Sequence, residues 1–403
     1  MKRALLAALC LLGCAAHAAP LPPGIANVSY SVWTVSGPTV LLKFTLPAPV
    51  AQSLTETDVP LLTTRKLGDY VLQHLGVQAA GRDCAIEDQG YDLGKVDPLA
   101  VGPELYGFEI LFRCSAPGDL TLHNDVLFAR APGHVNFARV EKDGHAVAQL
   151  FTASYRSLTV PRSGALPAAG LGSYARLGAM HLLLSPDRLC FLLGSLLLIR
   201  RKEEAAYGFA ALLIGYAASL TVAAADWIVP RATLLEAFMG FMVALLAALI
   251  TVRELRRPRV AALGCPALLV VLALVASVTH AHGESLALLG GAVFAASLLT
   301  ASSRFAERAW LVPVAAVGFL DGFAVPSALA PMHLLHGSQL WMTAGFDAGA
   351  ALIAALLMGA PLGLFALARK RIMATAPRAL VNELAAACLG GLGTFWLVTR
   401  LYS

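Results

Sequence analysis

Two rhythms divide the chain. Up to about residue 160, apolar and polar positions alternate over short stretches, as they do along half-buried strands. "NVSYSVWTV" (27–35) and "TVLLKFTL" (39–46) carry this pattern. "VNFARVEKDGHAVAQLFTA" (135–153) reads as a hairpin folded about Lys142-Asp143-Gly144. "TRKLGDYVLQHL" (64–75) instead has helical spacing. Together these predict a β-rich, sandwich-like domain with one helix over residues 19–160. "PRSGALPAAGLG" (161–172), rich in Pro, Gly and Ala, predicts a linker over 161–174.

From residue 175 to 403 the rhythm changes to long apolar runs. They lie at about 175–199, 207–229, 232–252, 260–280, 285–303, 310–331, 340–368 and 379–399. Each is near or above the roughly 20 residues that cross a bilayer as a helix. The fold class expected is therefore mixed: a β-rich domain followed by a polytopic helical bundle of about eight helices.

Composition strengthens the membrane assignment. Of 403 residues, 58% are hydrophobic and 14% charged, and the mean hydropathy is +0.69. A soluble domain carries about a quarter charged residues. The remaining cations are distributed by side. Alternate loops hold Arg200, Arg201, Lys202; Arg253, Arg256, Arg257, Arg259; Arg304, Arg308; and Arg369, Lys370, Arg371, Arg378, thirteen in all. The other ends keep only Arg176, Arg231 and Arg400. The positive-inside rule then predicts both the β-rich domain and the C-terminus on the outer, periplasmic side of a bacterial inner membrane. These cytoplasmic arginines need no nucleic-acid partner to explain them. The bilayer is the partner expected, with a periplasmic protein for the exported domain.

The first residues fit export. "MKRALLAALCLLGCAAHAAP" has a basic start, a short apolar core and an Ala16-His17-Ala18 exit, which predicts a signal peptide over 1–18. Leu11-Leu12-Gly13-Cys14 offers a lipoprotein box as the rival. Cys84 and Cys114 are the two cysteines of the exported part, and an even pair in an oxidising compartment predicts a disulfide. Cys190, Cys265 and Cys388 lie in apolar runs and read as small packing residues.

Candidate chemistry sits among the few ionisable residues of the apolar runs: His181, Asp187 and Arg188 in the first, Asp226 and Glu236 flanking the second and third, Asp321 in the sixth and Asp347 in the seventh. Each such group costs roughly 2.5–3.5 kcal/mol at the centre of a membrane helix, so clusters mark ion paths, proton relays or structural ion pairs. Ser185-Pro186-Asp187 resembles a helix start, with Ser at the N-cap and Pro at the first helical position. A helix running through Pro186 would lose one backbone bond there. Either way the backbone is interrupted between His181 and Asp187, as happens where membrane helices line a site. Outside the apolar runs, "THAHGE" (His280, His282) and "HLLH" (His333, His336) fall in loops expected on the outer face, where they could capture a metal together. No Ser-His-Asp arrangement, phosphate loop or CxxC site is present, and no enzyme activity is expected.

The order of these motifs resembles the HupE/UreJ family, in the branch that carries an exported N-terminal domain. A family pattern like H-I-x-x-G-x-D-H appears as "HLLLSPDR", keeping His181 and Asp187 but with Ser185 for the Gly and Arg188 for the last His. F-T-x-x-H-S-x-T appears as "IGYAASLT", with Ser219 and Thr221 kept and Ala218 in the His position. Glu236 follows Leu235 where the family has Val-Glu. F-G-L-x-H-G-x-G-F-A appears as "VGFLDGFA", with Asp321 for the His and Gly322 beside it. F-N-x-G-V-E-x-G-Q appears as "FDAGAALIA", with Asp347 for Asn and Ala351 and Ala354 for Glu and Gln. Residues 260–303 look like an inserted helical pair.

The resemblance implies a permease or binding protein for a divalent metal such as nickel, with His181, Asp187, Glu236, Asp321 and Asp347 lining a polar core. The substitutions oppose it. Imidazole suits nickel, whereas a guanidinium cannot ligate a metal and repels a dication. The alternative is a non-transporting, membrane-anchored assembly or binding protein in which Arg188 pairs with Asp321, with Asp187 or Asp347 sharing the pair, where the family pattern has two histidines. An intramembrane hydrolase using His, Asp and a metal is a third reading, which Arg188 disfavours.

Overall fold

The computed structural model describes residues 28–47, 60–93, 105–129, 134–166, 170–199, 201–225, 232–254, 258–278, 282–300, 308–329, 336–368 and 378–401. The segment expected to be a signal peptide (1–18), with its rival lipoprotein box, and Asp226, His280 and His333 lie outside these residues. The chain divides into two compact units, one comprising the β-rich Leu21–Tyr174 with Pro326–Met342, the other the helical Ala175–Val325 and Thr343–Ser403.

In the first unit, ten strands form two sheets. Strands β1 (Val28–Ser36), β2 (Thr39–Pro47), β5 (Ala85–Leu93), β6 (Leu105–Arg113), β8 (Val135–Lys142) and β9 (His145–Thr152) make a six-stranded sheet in the order β5-β6-β2-β1-β8-β9. Strands β3 (Leu75–Ala79), β4 (Arg82–Asp83), β7 (Leu120–Asn124) and β10 (Ser157–Val160) make a second sheet in the order β10-β7-β3-β4. Helix α1 (Pro60–His74) runs directly into β3.

Strand β2 shows why the segment pairs as it does. Val40, Leu42, Phe44 and Leu46 are buried, while Thr39, Leu41, Lys43 and Thr45 between them are at least partly open. A period of two places one face on the core. One apolar core draws on both sheets and on α1, through Trp33, Phe44, Phe112, Leu67, Val77 and Leu122.

The Asp143-Gly144 turn joins β8 to β9, and both residues have positive φ (52° and 77°), the geometry of a tight hairpin turn. Pairing of β1 with β8 is parallel, unlike every other strand pair described, and its register runs from Val28↔Val135 to Val35↔Lys142. Local alternation gave no sign of it, because parallel neighbours are joined through distant chain.

The disulfide joins Cys84 to Cys114. Cys84 stands where the chain leaves β4 of the smaller sheet for β5 of the larger one, and Cys114 follows β6. The bridge therefore ties the crossing point to the paired strand, and the Cys84 amide also donates to the Val77 carbonyl at 2.9 Å.

The second unit is helical. Among the described residues ten helices lie wholly or partly in it: α2 (Leu171–Leu184, whose first turn precedes the unit), α3 (Pro186–Ser195), α4 (Lys202–Ala224), α5 (Ala232–Glu254), α6 (Pro258–Val278), α7 (His282–Leu299), α8 (Leu311–Asp321), α9 (Ala324–Leu329, of which only Ala324 and Val325 belong to the unit), α10 (His336–Ala368, belonging to it from Thr343 on) and α11 (Arg378–Leu401). Four stretches are long and apolar enough to cross a membrane: Glu203–Ala224, Leu234–Arg253, Leu340–Gly359 and Asn382–Leu401. Within the described residues each apolar run of the sequence is mostly helical, the first and the sixth as two pieces.

Small residues bring these helices close. A methyl group added at Gly349 would run into the Ala175 carbonyl, and one at Gly178 into the Phe346 carbonyl, so α2 and α10 touch backbone to backbone. Gly215 and Gly318 do the same for α4 and α8, and Gly240 and Gly393 for α5 and α11. Helix association in lipid depends on such packing, because lipid tails remove the hydrophobic drive.

Candidate functional site: a buried chain of arginines and carboxylates

The break in the first apolar run builds the site. Ser185 has an extended backbone (φ −98°, ψ 101°) and α3 starts at Pro186. The helix-start reading of Ser185-Pro186-Asp187 thus describes the backbone, with one difference. Ser185 Oγ does not cap α3; it donates to the His181 carbonyl at 2.5 Å, closing the end of α2 instead. His181 lies in the last turn of α2 and Asp187 in the first turn of α3. A carboxylate there faces the positive end of the helix dipole. Its Oδ1 accepts the Arg188 amide at 2.9 Å.

From Asp187 the polar groups run in two directions. Asp187 Oδ2 accepts from Arg400 Nη1 at 2.7 Å. Arg400 also donates to the Glu236 carbonyl at 3.0 Å, and its Nε stands 3.7 Å from the Glu236 carboxylate. On the other side, Arg188 Nη1 lies 3.5 Å from Asp187, and Arg188 Nε donates to Asp321 Oδ1 at 2.5 Å. Asp321 further accepts from the Tyr216 hydroxyl at 3.0 Å and faces His181 Nε2 at 3.3 Å. The result is a continuous series, Glu236–Arg400–Asp187–Arg188–Asp321, contributed by α5, α11, α3 and α8. Asp187, Arg188, Asp321 and Arg400 are each at most 4% exposed.

Desolvating four charges costs several kcal/mol per ion, and mutual pairing with hydrogen bonds is what offsets it. Asp321 needs this most. It is the last residue of α8, where the helix dipole disfavours an anion, and Arg188 and Tyr216 supply the compensating donors. Gly322 follows because a methyl there would overlap Ser219 Oγ. Two residues that keep the family pattern, Ser219 and Gly322, therefore pack on each other beside the network.

The structure brings His181, Asp187, Arg188, Glu236 and Asp321 together. Asp347 sits on α10, buried at 7% exposure, and neither carboxylate oxygen has a hydrogen-bond partner among the described residues. Phe346, its neighbour, places its ring 5.1 Å from the His181 ring. Arg188 reaches Asp321 and Asp187, not Asp347. Among the described residues no three His, Cys, Asp or Glu side chains converge as metal ligands. His282 and His336 begin α7 and α10 in the backbone trace; with His280 and His333 outside the described residues, the outer histidine cluster is left without a geometry.

Two members escaped sequence reasoning. Arg400 reads as an outer-end cation of the last span, yet it is buried at 4% exposure and its guanidinium also lies 5.9 Å from the Trp396 ring centre. An arginine inside the final apolar turn, opposite the Glu236 end of another span, was the available signal. Tyr216, in "LIGYAASLT", offered none, since a tyrosine in an apolar helix is ordinary packing.

Comparison with known proteins supports the family over part of the chain. Residues 162–299 match the model described as HupE / UreJ protein. Over residues 162–299 this chain is a HupE/UreJ family segment. The matched segment contains His181, Asp187, Arg188, Tyr216, Ser219 and Glu236, so three of the five members of the buried series lie inside it. HupE/UreJ proteins are a family of membrane transport and accessory proteins. No curated protein matches the chain.

Proposed function

We propose that this HupE/UreJ protein is a membrane-anchored binding or assembly protein of the bacterial inner membrane, in which the family's metal-handling centre is a structural ion network. In this reading a signal peptide (1–18) directs export, residues 19–160 form a periplasmic domain, 161–174 link it to the membrane, and 175–403 make eight spans. Alternation of the arginine-rich loops supports this orientation and places the C-terminus outside. The exported β-rich domain engages a periplasmic protein.

One observation carries the reading. Arg188 occupies the middle of the polar centre and binds Asp321 where the family pattern has a pair of histidines, while Arg400 takes Asp187. Two guanidiniums there repel a dication and use the carboxylates that would bind it. The gain is then registry among four helices rather than passage.

A second reading, a permease for a divalent metal such as nickel or cobalt, is favoured by Asp347. Its buried carboxylate has no hydrogen-bond partner among the described residues, and the adjacent Phe346 ring lies against His181, a member of the polar centre. Metal analysis of the purified protein and nickel uptake into proteoliposomes separate the two. The structural reading expects far less than one metal per chain and no uptake above empty vesicles. One bound nickel, or saturable uptake lost in Asp347→Ala, overturns it in favour of the permease.

A further inference from the structure

Among its described residues the helical unit has an open apolar groove that the polar centre does not use. Helices α4 and α8 approach closely at Gly215 and Gly318. Nearer the start of both helices they part around a groove of about 470 Å³. Its floor is apolar and small, with Ala211 from α4 and Ala315 from α8; Ile214 and Leu311 form its walls. At its mouth stand Tyr207 and Arg308, with the guanidinium 6.0 Å from the ring centre. Tyr207 is 52% exposed and Ile214 65% exposed, so the groove opens outward.

The positions follow helical spacing. Tyr207, Ala211 and Ile214 recur at intervals of four and three, which puts them on one stripe of α4. That stripe spans about 10 Å at 1.5 Å per residue, the length of roughly eight methylenes of an extended acyl chain. An aromatic ring beside a cation at the end of an apolar stripe is the arrangement of a headgroup-level anchor. Arg308 lies at the end of one of the arginine-rich loops, where the cytoplasmic leaflet carries its anionic lipids. Among the described residues Arg308 has no carboxylate partner, in contrast to Arg188 and Arg400. Apolar groove and available cation together ask for an amphiphile with one anionic end.

We propose that this groove is a binding site for an anionic phospholipid, its phosphate held by Arg308 and its acyl chain lying between α4 and α8 against Ala211 and Ala315. The site is independent of whether the polar centre handles metal. Tyr207 orders the guanidinium from beneath, and the close approach at Gly215 and Gly318 closes the far end of the groove.

Native mass spectrometry of the full-length protein, released from nanodiscs containing equal phosphatidylglycerol and phosphatidylcholine, tests it. Retained phosphatidylglycerol should exceed phosphatidylcholine, and Arg308→Ala should lower its retention about fivefold, as expected for losing one cation–lipid contact. Arg308→Lys should keep most of it. Ile214→Trp, which fills the groove without touching the charge, should reduce retention of both lipids while leaving the thermal midpoint unchanged. Glycerol 3-phosphate, the headgroup without the chain, should not compete. Equal retention of the two lipids, an unaltered Arg308→Ala, or full competition by glycerol 3-phosphate would overturn the proposal. So would a dimer in the wild type that Ile214→Trp converts to a monomer, since a second copy would then fill the groove.

Discussion

Removing Arg188 should injure this protein more than removing its partner. Asp321 is 1% exposed and depends on Arg188 Nε at 2.5 Å; without it only the Tyr216 hydroxyl and His181 remain. Truncating one member of a buried ion pair costs about 3–5 kcal/mol, because the other charge is left desolvated. Arg188→Met should therefore lose about 3–5 kcal/mol. Asp321→Leu leaves Arg188 with Asp187 still 3.5 Å away, so its loss should fall at or below about 3 kcal/mol. The double variant should cost much less than the sum, with a coupling energy of about 2 kcal/mol, inside the 0.5–3 kcal/mol seen for contacting pairs. Equilibrium unfolding of the full-length protein in mixed micelles, followed by tryptophan fluorescence, measures all four corners of the cycle. Losses that add within about 0.5 kcal/mol would mean that the two charges do not stabilise one another, and the network argument would fall.

Other perturbations follow from the packing. Gly349→Ala should destabilise strongly, by about 3 kcal/mol or more, since its methyl meets the Ala175 carbonyl, whereas Gly264→Ala has open space and should stabilise by up to about 1 kcal/mol; thermal midpoints in detergent compare them. Serine at both Cys84 and Cys114 should cost about 3–4 kcal/mol, the chain-entropy value for a bridge across 30 residues, and the wild type should resist thiol labelling at these two positions when denatured without reductant. In the β-rich domain, burial pushes His134 down to about 3, with Nε2 2.8 Å from Ser29 Oγ. The unfolded chain then takes up a proton near pH 6.5 that the folded one refuses, so stability is present above that value and falls below it. Between pH 7 and pH 5 the domain should lose about 2 kcal/mol, and His134→Gln should flatten that slope; an unchanged slope by denaturant titration would remove His134 as its cause.

Periodicity made the elements readable. Strand β2 alternates because one face meets the core, and the apolar runs are long because lipid offers the backbone no partners, so each element's pattern is local. The Asp143-Gly144 turn and the break at Pro186 were legible for the same reason: a positive φ or a missing N–H constrains the chain where it stands. Even the attraction between Arg188 and Asp321 could be anticipated, since two isolated buried charges of opposite sign are each untenable alone.

Only the folded arrangement decided who else joins. Arg400 and Asp187 are separated by 213 positions, and Tyr216 and Asp321 by 105. No local pattern tells an arginine that snorkels from one that turns inward; the answer depends on whether a neighbouring helix presents a carboxylate at the same depth. That depth is set by contacts such as Gly240 against Gly393, where missing side chains let α5 and α11 approach until Glu236 and Arg400 meet. The parallel pairing of β1 with β8 has the same origin, because the residues along a strand set which face is buried but not the direction of a neighbour reached through distant chain. Sequence determined which groups could not remain alone in an apolar interior; tertiary packing, by fixing helix depth and strand order, chose their partners.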